Sequence, residues 1–182
     1  MEKGIQTHVI LLRAIGPATH KLMGMADWRA AAQDHGFDSV ETLVNTGNMI
    51  ADFDGDAQAA AMVMQRVLTG FGLGGNVVPI LRSPAQLVRM VEADPLEASK
   101  RPAETAAFFF RADKPDFDWL GDYDGPERSA IFEHHLVVDF THGSAKAGRL
   151  LRLIDKAGGV NTARNWNSVC RIASACRTRL RG

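Results

Sequence analysis

Apolar and polar positions along the first 82 residues follow the periods of short strands and amphipathic helices. Residues 8–13 are mostly apolar, as in a strand buried on both faces. Met25, Trp28 and Ala32 recur at helical spacing, and Thr46-Gly47 divides two apolar, β-branched runs as the turn of a hairpin does. In chain order the pattern predicts a strand, a helix, a hairpin, a helix and a strand at residues 8–13, 25–35, 38–45 with 48–53, 57–71 and 76–81. This βαββαβ order is typical of a ferredoxin-like unit.

A similar order follows the connecting segment 83–104, although no residue-level repeat of the first half is visible. Ser83-Pro84 has the N-cap and first-turn proline of a helix that ends before Asp94-Pro95. The acidic stretch 113–125, rich in Pro and Gly, holds at most a short helix at 117–120. The later elements are predicted as strands at 105–110, 129–133 and 136–140, a helix at 145–157, an extended piece at 160–164 and a terminal helix that carries Trp166.

These patterns predict an α+β protein made of two ferredoxin-like (βαββαβ) halves with a C-terminal helix. The predicted domains are a first half at 1–82, a connecting helix and linker at 83–104, and a second half with the C-terminal helix at 105–182.

Bulk composition limits the classes of protein that fit. Hydrophobic residues make up 46% of the 182 residues, enough for a packed core without disulfides or a structural metal. Lys plus Arg and Asp plus Glu number 21 each, so no global charge draws the chain to nucleic acid or to a membrane surface. No uncharged apolar stretch approaches 18 residues, so no membrane span is expected.

The two cysteines indicate a reducing compartment. Cys170 and Cys176 fall six residues apart in one predicted helix, which turns their side chains about 240° from each other. They cannot form a disulfide with each other without breaking that helix. Because the N-terminus also lacks the apolar core of a signal peptide, we expect a cytoplasmic protein.

Five short segments, taken in order, carry a family resemblance. They read LLRAIG at 11–16, KLMGMADWR at 21–29, TGN at 46–48, VPILR at 78–82 and TARNWNSV at 162–169. Together they resemble a bacterial family known as domain of unknown function 1697, and the most specific piece is the Arg-Asn-Trp-Asn box at 164–167. Where the family tends to have Arg-Gly-Ile-Asn-Val-Gly-Gly, this chain has Arg13 followed by the proline-containing loop 14–19. The resemblance implies a shared fold and, since the family is uncharacterised, no particular reaction.

Arg13 and Asn48 are the first candidate ligand-binding residues. Arg13 ends the first strand, where α/β units often place ligand contacts, and Asn48 follows the predicted turn. An arginine with an asparagine can hold a phosphate or carboxylate through forked hydrogen bonds. The alternative is structural: Arg13 pairs with a surface acid, and Asn48 supports the turn at Gly47.

Arg164, Asn165 and Asn167 form the second candidate group, at the predicted start of the terminal helix. Free backbone amides and the helix dipole favour an anion at such a place. In the structural alternative Asn165 is an N-cap, Trp166 fills the seam between the halves and Arg164 pairs with an acid.

Other chemistry finds less support in the sequence. The six histidines and two cysteines show no metal-ligand spacing, so neither a metal nor a cofactor is expected. The aspartates of 113–124 lack the register of a calcium loop. No nucleophile motif surrounds Ser144 or Cys170. The strands predicted at the sheet centre offer no pair of exposed aromatics, which disfavours nucleic-acid binding.

Three functions therefore stay open. The favoured one is a non-catalytic binding or interaction protein, monomer or homodimer, that holds a small anionic ligand between its halves. Its candidate contacts are Arg13, Asn48, Arg164, Asn165 and Asn167. The first alternative is a small cofactor-free enzyme that uses the same arginines as electrostatic clamps on an anionic substrate. The second is a weak single-stranded nucleic-acid binder that uses the arginines of the terminal helix, Arg171, Arg177, Arg179 and Arg181.

Overall fold

The computed structural model describes residues 4–143 and 148–182, and these residues form eight strands and six α-helices. In chain order the elements are β1 (Ile5–Leu12), α1 (Pro17–Leu22), α2 (Met25–Asp34), β2 (Phe37–Leu43), β3 (Asn48–Asp54), α3 (Ala57–Gly70), β4 (Pro79–Arg82), α4 (Pro84–Ala93), β5 (Thr105–Phe110), β6 (Arg128–Phe132), β7 (His135–Asp139), α5 (Arg149–Ala157), β8 (Asn161–Asn165) and α6 (Trp166–Arg181). Two 3-10 helices lie at Pro95–Lys100 and Asp118–Asp122.

The strands form two four-stranded antiparallel sheets with the same topology. The first sheet has the order β2-β3-β1-β4 and the second has the order β6-β7-β5-β8, so β5 to β8 repeat the places of β1 to β4. This arrangement confirms the predicted α+β fold of two ferredoxin-like halves with a C-terminal helix. By contacts the chain divides into two compact units. The first unit consists of the chain up to Leu87 together with Ala175–Gly182, and the second unit runs from Val88 to Ser174.

One face of the first sheet packs against α2 and α3. Ile10 of β1 belongs to this core, together with Trp28 of α2 and Met64 of α3, and all three are fully buried. The Trp28 indole N–H donates to the Met64 sulfur over 3.2 Å, which gives the buried ring a polar partner. The Asp56 carboxylate caps α3 by accepting from the Ala59 amide at 2.9 Å.

The three consecutive phenylalanines of β5 place buried aromatic rings on both faces of the second sheet. Phe108 and Phe110 pack against α5 together with Leu136 of β7. Because side chains alternate along a strand, Phe109 faces the opposite side of the sheet. Its ring packs against the His135 ring in an edge-to-face arrangement, with 5.2 Å between the ring centroids. All three phenylalanines are buried, as the sequence predicts for a strand that faces two packed layers.

Several predicted boundaries were wrong by a few residues. The strand predicted at 76–81 begins at Pro79, because the preceding residues form a turn in which the Val77 amide donates to Gly74. Glu133, predicted at the end of a strand, has φ 51° and belongs to the two-residue turn between β6 and β7. Helix α1 was not predicted. Of the helix predicted at 145–157, residues 149–157 are helical, and its first residues lie outside the described part of the chain.

Candidate anion-binding site

Arg13 and Asn48 lie at the same end of the first sheet. The Leu12 amide donates to the Gly47 carbonyl at 2.8 Å, and the Arg13 amide donates to the Val78 carbonyl at 3.0 Å. The Arg13 side chain is half-buried, and among the described residues it forms no ion pair. The surface acid that the structural alternative assigned to Arg13 is therefore not found in this part of the chain.

Asn48 is fully buried and closes the turn between β2 and β3. Its Nδ2 donates to the Leu43 carbonyl at 3.1 Å and to the Thr46 hydroxyl at 2.8 Å. Gly47 has φ 76°, a left-handed conformation that favours glycine. Asn48 therefore has the turn-supporting contacts that the structural alternative predicted, and these contacts occupy its side-chain amide.

Gly47→Ala is expected to lower the free energy of unfolding by about 1–3 kcal/mol, measured by urea denaturation. A Cβ atom there would lie 2.8 Å from Ile15 Cγ1 and 3.0 Å from Leu12 Cβ, in addition to the strain of the positive φ. Gly36→Ala is the matched control, because Gly36 has φ 90° and open space around it. Equal losses in the two variants would show that the close packing of Gly47 on Ile15 and Leu12 contributes nothing.

Arg164 is the most buried cation of the candidate group, with 8% of its surface exposed. It lies on β8 in register with Ala107, so it faces the same side of the second sheet as Phe109 and His135. Its Nη1 donates to the Thr162 hydroxyl at 2.7 Å and to the Ala163 carbonyl at 2.9 Å. Burial lowers the pKa of Arg164 to about 10, so the side chain stays cationic at neutral pH in surroundings that disfavour a charge.

The residues after Arg164 divide between the core and the surface. Trp166 is buried with 1% of its surface exposed, whereas Asn165 and Asn167 are exposed. Asn165 Oδ1 accepts from the Ser168 amide at 2.9 Å, the N-cap contact that the structural alternative predicted. The second unit thus brings Arg164, Asn165 and Asn167 together at the start of α6, and Arg13 and Asn48 belong to the first unit.

A counterpart of the Arg164 position exists in the first unit. In each unit an arginine after the first strand donates its amide to a valine carbonyl, at 3.0 Å from Arg13 to Val78 and at 2.8 Å from Arg111 to Val160. Four residues after each valine, the last strand carries Arg82 or Arg164. Both side chains fold back in the same way, because Arg82 Nη1 donates to the preceding carbonyl of Leu81 at 2.7 Å. The two halves therefore share a structural repeat. It is not visible in the sequence, because too few of the equivalent residues are identical.

The helix starts that follow Arg82 and Arg164 differ in their chemistry. After Arg82, Ser83 and Gln86 form a reciprocal capping box, with Ser83 N to Gln86 Oε1 at 2.9 Å and Gln86 N to Ser83 Oγ at 3.3 Å. Pro84, the first residue of α4, has no N–H to donate. Helix α6 begins with Trp166 and Asn167, which both carry an N–H. Arg82 therefore serves as a natural comparison for Arg164.

The acidic and basic side chains on the Arg164 face of the second sheet are already engaged. His135 Nδ1 lies 3.2 Å from the Phe132 carbonyl, and its ring packs on Phe109. Asp139 is bound by Arg128 at 2.7 Å and by Arg101 at 3.5 Å, and it also accepts from Thr141. Burial raises the pKa of Asp139, but the bonds from Thr141 and Arg128 outweigh it and hold the pKa well below its ordinary value. The sequence did not predict this cluster of Asp139 with Arg128, Arg101 and Thr141. Its one local signal is that a threonine follows the aspartate by two residues.

Among the described residues, other chemistry-bearing groups give no second site. No group of three His, Cys, Asp or Glu side chains that could hold a metal occurs within residues 4–143 and 148–182. Burial raises the pKa of the Cys176 thiol to about 12, so it is protonated at neutral pH and is a poor nucleophile. Across the same ranges, no helix has the length and apolar character needed to cross a membrane.

The sheet topology and helix placement define an α+β protein of two ferredoxin-like units, and comparison with known proteins places it in a family. The model of a family described as a protein of unknown function, DUF1697, matches residues 5–136, and the chain belongs to that family. The match ends before the Arg-Asn-Trp-Asn box. No curated protein matches the chain.

A solved structure has the same fold over almost its whole length. It is the conserved bacterial protein SP0830 from Streptococcus pneumoniae, with 17% sequence identity and a TM-score of 0.73. The similarity covers 96% of this chain and 99% of that chain. At this identity the likeness extends to the fold alone.

Proposed function

We propose that this protein is a non-catalytic binding protein for a small anionic ligand such as a phosphate or a carboxylate, held at Arg164 and the start of α6. The observation that carries the proposal is the burial of the Arg164 guanidinium, which lowers the pKa of this cation to about 10. An anion beside a buried cation offsets its desolvation. Asn167 and the amides of the first turn of α6 would supply further donors.

Binding is favoured over catalysis because the acid–base groups on this sheet face have other partners. Catalysis on an anionic substrate needs a proton donor or acceptor near the bound group. His135 is buried against Phe109 and the Phe132 carbonyl, and Asp139 is held by two arginines. Arg13 belongs to the first unit. Its predicted role in ligand binding is therefore a separate prediction, tested by Arg13→Ala in the phosphate experiment described below.

We also propose that the protein is cytoplasmic and does not bind nucleic acid. The free thiols of Cys170 and Cys176 suit a reducing compartment. Arg179, one of the four arginines of α6, is bound to Asp52 at 3.3 Å and to the Ser39 carbonyl, so it contributes little to a phosphate-binding surface.

The proposal is tested by thermal unfolding in inorganic phosphate against chloride at constant ionic strength. A ligand that binds only the folded state stabilises it and so raises the melting temperature. When the ligand concentration is a hundred times Kd, the free energy of unfolding increases by about 2.7 kcal/mol. We expect a rise for the wild-type protein and for Arg82→Ala, and no rise for Arg164→Ala.

Asn167→Asp keeps the test decisive if Arg164→Ala fails to fold. Asn167 is exposed, and an acidic residue in the first turn of a helix stabilises it, so this variant is expected to be at least as stable as the wild type. Its carboxylate would repel an anion, and we expect it to abolish the phosphate-dependent rise. A rise of the same size in Asn167→Asp, or none in the wild type with phosphate, sulfate or acetate, would refute the proposal.

A further inference from the structure

His8 is a buried histidine beside the start of α3. It lies on β1 two residues before Ile10, so its ring faces the side of the first sheet that packs against α2 and α3. Only 3% of the residue is exposed. Its Nε2 lies 3.2 Å from the Gly55 carbonyl, the one hydrogen-bond partner of the ring among the described residues. To donate there, the neutral ring carries its proton on Nε2.

The carbonyl that His8 contacts belongs to a tight junction between β3 and α3. Gly55 has φ 150°, a conformation that L side chains rarely adopt. A Cβ atom there would lie 3.0 Å from Phe53 Cε1 and 3.3 Å from Ala59 Cβ, so the junction has little room for a side chain. The next residue, Asp56, caps α3 by accepting from the Ala59 amide at 2.9 Å. The junction is therefore held by a helix cap on one side and by the His8 contact on the other.

The charged groups that act on the His8 ring are two carboxylates, one on β3 and one at the start of α3. On β3, Asp52 accepts from the Thr7 hydroxyl at 2.6 Å and is bound by Arg179 at 3.3 Å. At the start of α3, Asp56 serves as the N-cap. Burial lowers the pKa of His8 and outweighs the backbone contact and the two carboxylates, which favour the cation.

We propose that His8 is a pH-sensitive switch that opens the β3–α3 junction when its ring takes up a proton. A cation at this buried position must be hydrated or paired. Pairing with Asp56 takes that carboxylate away from the Ala59 amide, and hydration separates β1 from the junction, so either response frays the first turn of α3. The sign follows from the protonation states, because the closed junction favours the neutral ring. The closed state is stable above about pH 6.5, the ordinary value for histidine, and loses stability as the pH falls below it.

His8→Gln removes the titration and keeps a side-chain N–H for the Gly55 carbonyl. Below about pH 6.5, and until the folded His8 itself takes up a proton, unfolding of the wild type binds one proton more than unfolding of the variant. The equilibrium constant for unfolding, measured by urea denaturation, should therefore rise in the wild type relative to His8→Gln by a factor that approaches about tenfold per pH unit.

His35→Gln is the matched control. The Nδ1 atom of His35 also lies close to a backbone carbonyl, at 2.7 Å from that of Ala31, but this histidine is exposed to solvent. Its replacement should leave the pH dependence of the wild type unchanged. Equal pH dependence in the wild type and in His8→Gln would overturn the proposal.

Hydrogen exchange of the Ala59 amide measures the opening in the wild-type protein, so the test stands even if His8→Gln fails to fold. Protection of this amide, relative to an unstructured chain at the same pH, should fall between pH 7.5 and pH 5 in step with the titration of the His8 ring, followed by NMR. A ring that titrates at or above pH 6.5, or an Ala59 amide that keeps its protection while the ring is protonated, would contradict the switch. These measurements are made without phosphate, so their outcome is independent of anion binding at Arg164.

Discussion

Replacing Trp166 with alanine is expected to lower the free energy of unfolding by about 3–5 kcal/mol, the range for a large aromatic residue removed from a packed core. The side chain is 1% exposed at the first position of α6, directly after β8, so its removal leaves a cavity where a strand becomes a helix. Urea denaturation followed by circular dichroism measures the loss.

Two comparisons separate packing from any role in binding. Trp119 is only half-buried, where it packs against the core that Phe108 and Phe110 form with α5, so Trp119→Ala should cost clearly less stability. Trp166→Phe should retain much of the stability that Trp166→Ala loses. At temperatures where Trp166→Ala is folded, its phosphate response should persist. A loss below about 1 kcal/mol would contradict the assignment of Trp166 to the core.

Asp139→Asn is expected to lower the free energy of unfolding by about 2–4 kcal/mol at neutral pH. Removing one partner of a buried ion pair costs about 3–5 kcal/mol, and we lower this range because Arg128 and Arg101 are partly exposed. The Asp139 carboxylate itself is 2% exposed and is the common partner of both arginines. Asparagine keeps an acceptor for Thr141 but leaves the two guanidinium groups without their charge partner.

The same carboxylate predicts a pH dependence with a definite sign. The pKa of Asp139 is lower in the folded chain than in the unfolded chain, so its stabilising effect is present above the unfolded value of about 3.9. It is lost as the pH falls below that value. The stability difference between wild type and Asp139→Asn should therefore be constant from pH 7 to about pH 5 and shrink below about pH 4. A difference that grows on acidification would have the wrong sign.

Asp124→Asn is the control for a surface pair. Asp124 is bound by Arg149, but it is exposed to solvent, where ion pairs contribute little to stability. Denaturation of this variant should be nearly indistinguishable from that of the wild type.

Much of the fold follows from local sequence signals, because periodicity and turn chemistry act over short distances. The apolar run of β1, the Thr46-Gly47 turn and the three phenylalanines of β5 each predicted the element that the structure contains. The boundaries of β4 and β7 were displaced because the turns before them depend on backbone hydrogen bonds that residue types do not reveal.

The candidate site was less accessible to sequence reasoning. The N-cap role of Asn165 and the turn role of Asn48 could be predicted, since both are local contacts. The burial of Arg164 and the Asp139 cluster depend on cross-strand neighbours, and these are known only once the register of the second sheet is known. The repeat that relates Arg82 to Arg164 was invisible for the same reason.

The most direct test of the proposed function is a phosphate titration of the ¹⁵N-labelled protein at constant ionic strength, followed residue by residue by NMR. If phosphate binds at Arg164, the Arg164 side chain and the Trp166 and Asn167 amides should show saturating shifts. Arg82 and Gln86 should show none, because the capping box closes the start of α4. Shifts at Arg82 equal to those at Arg164, or no saturable shift at the start of α6, would contradict it.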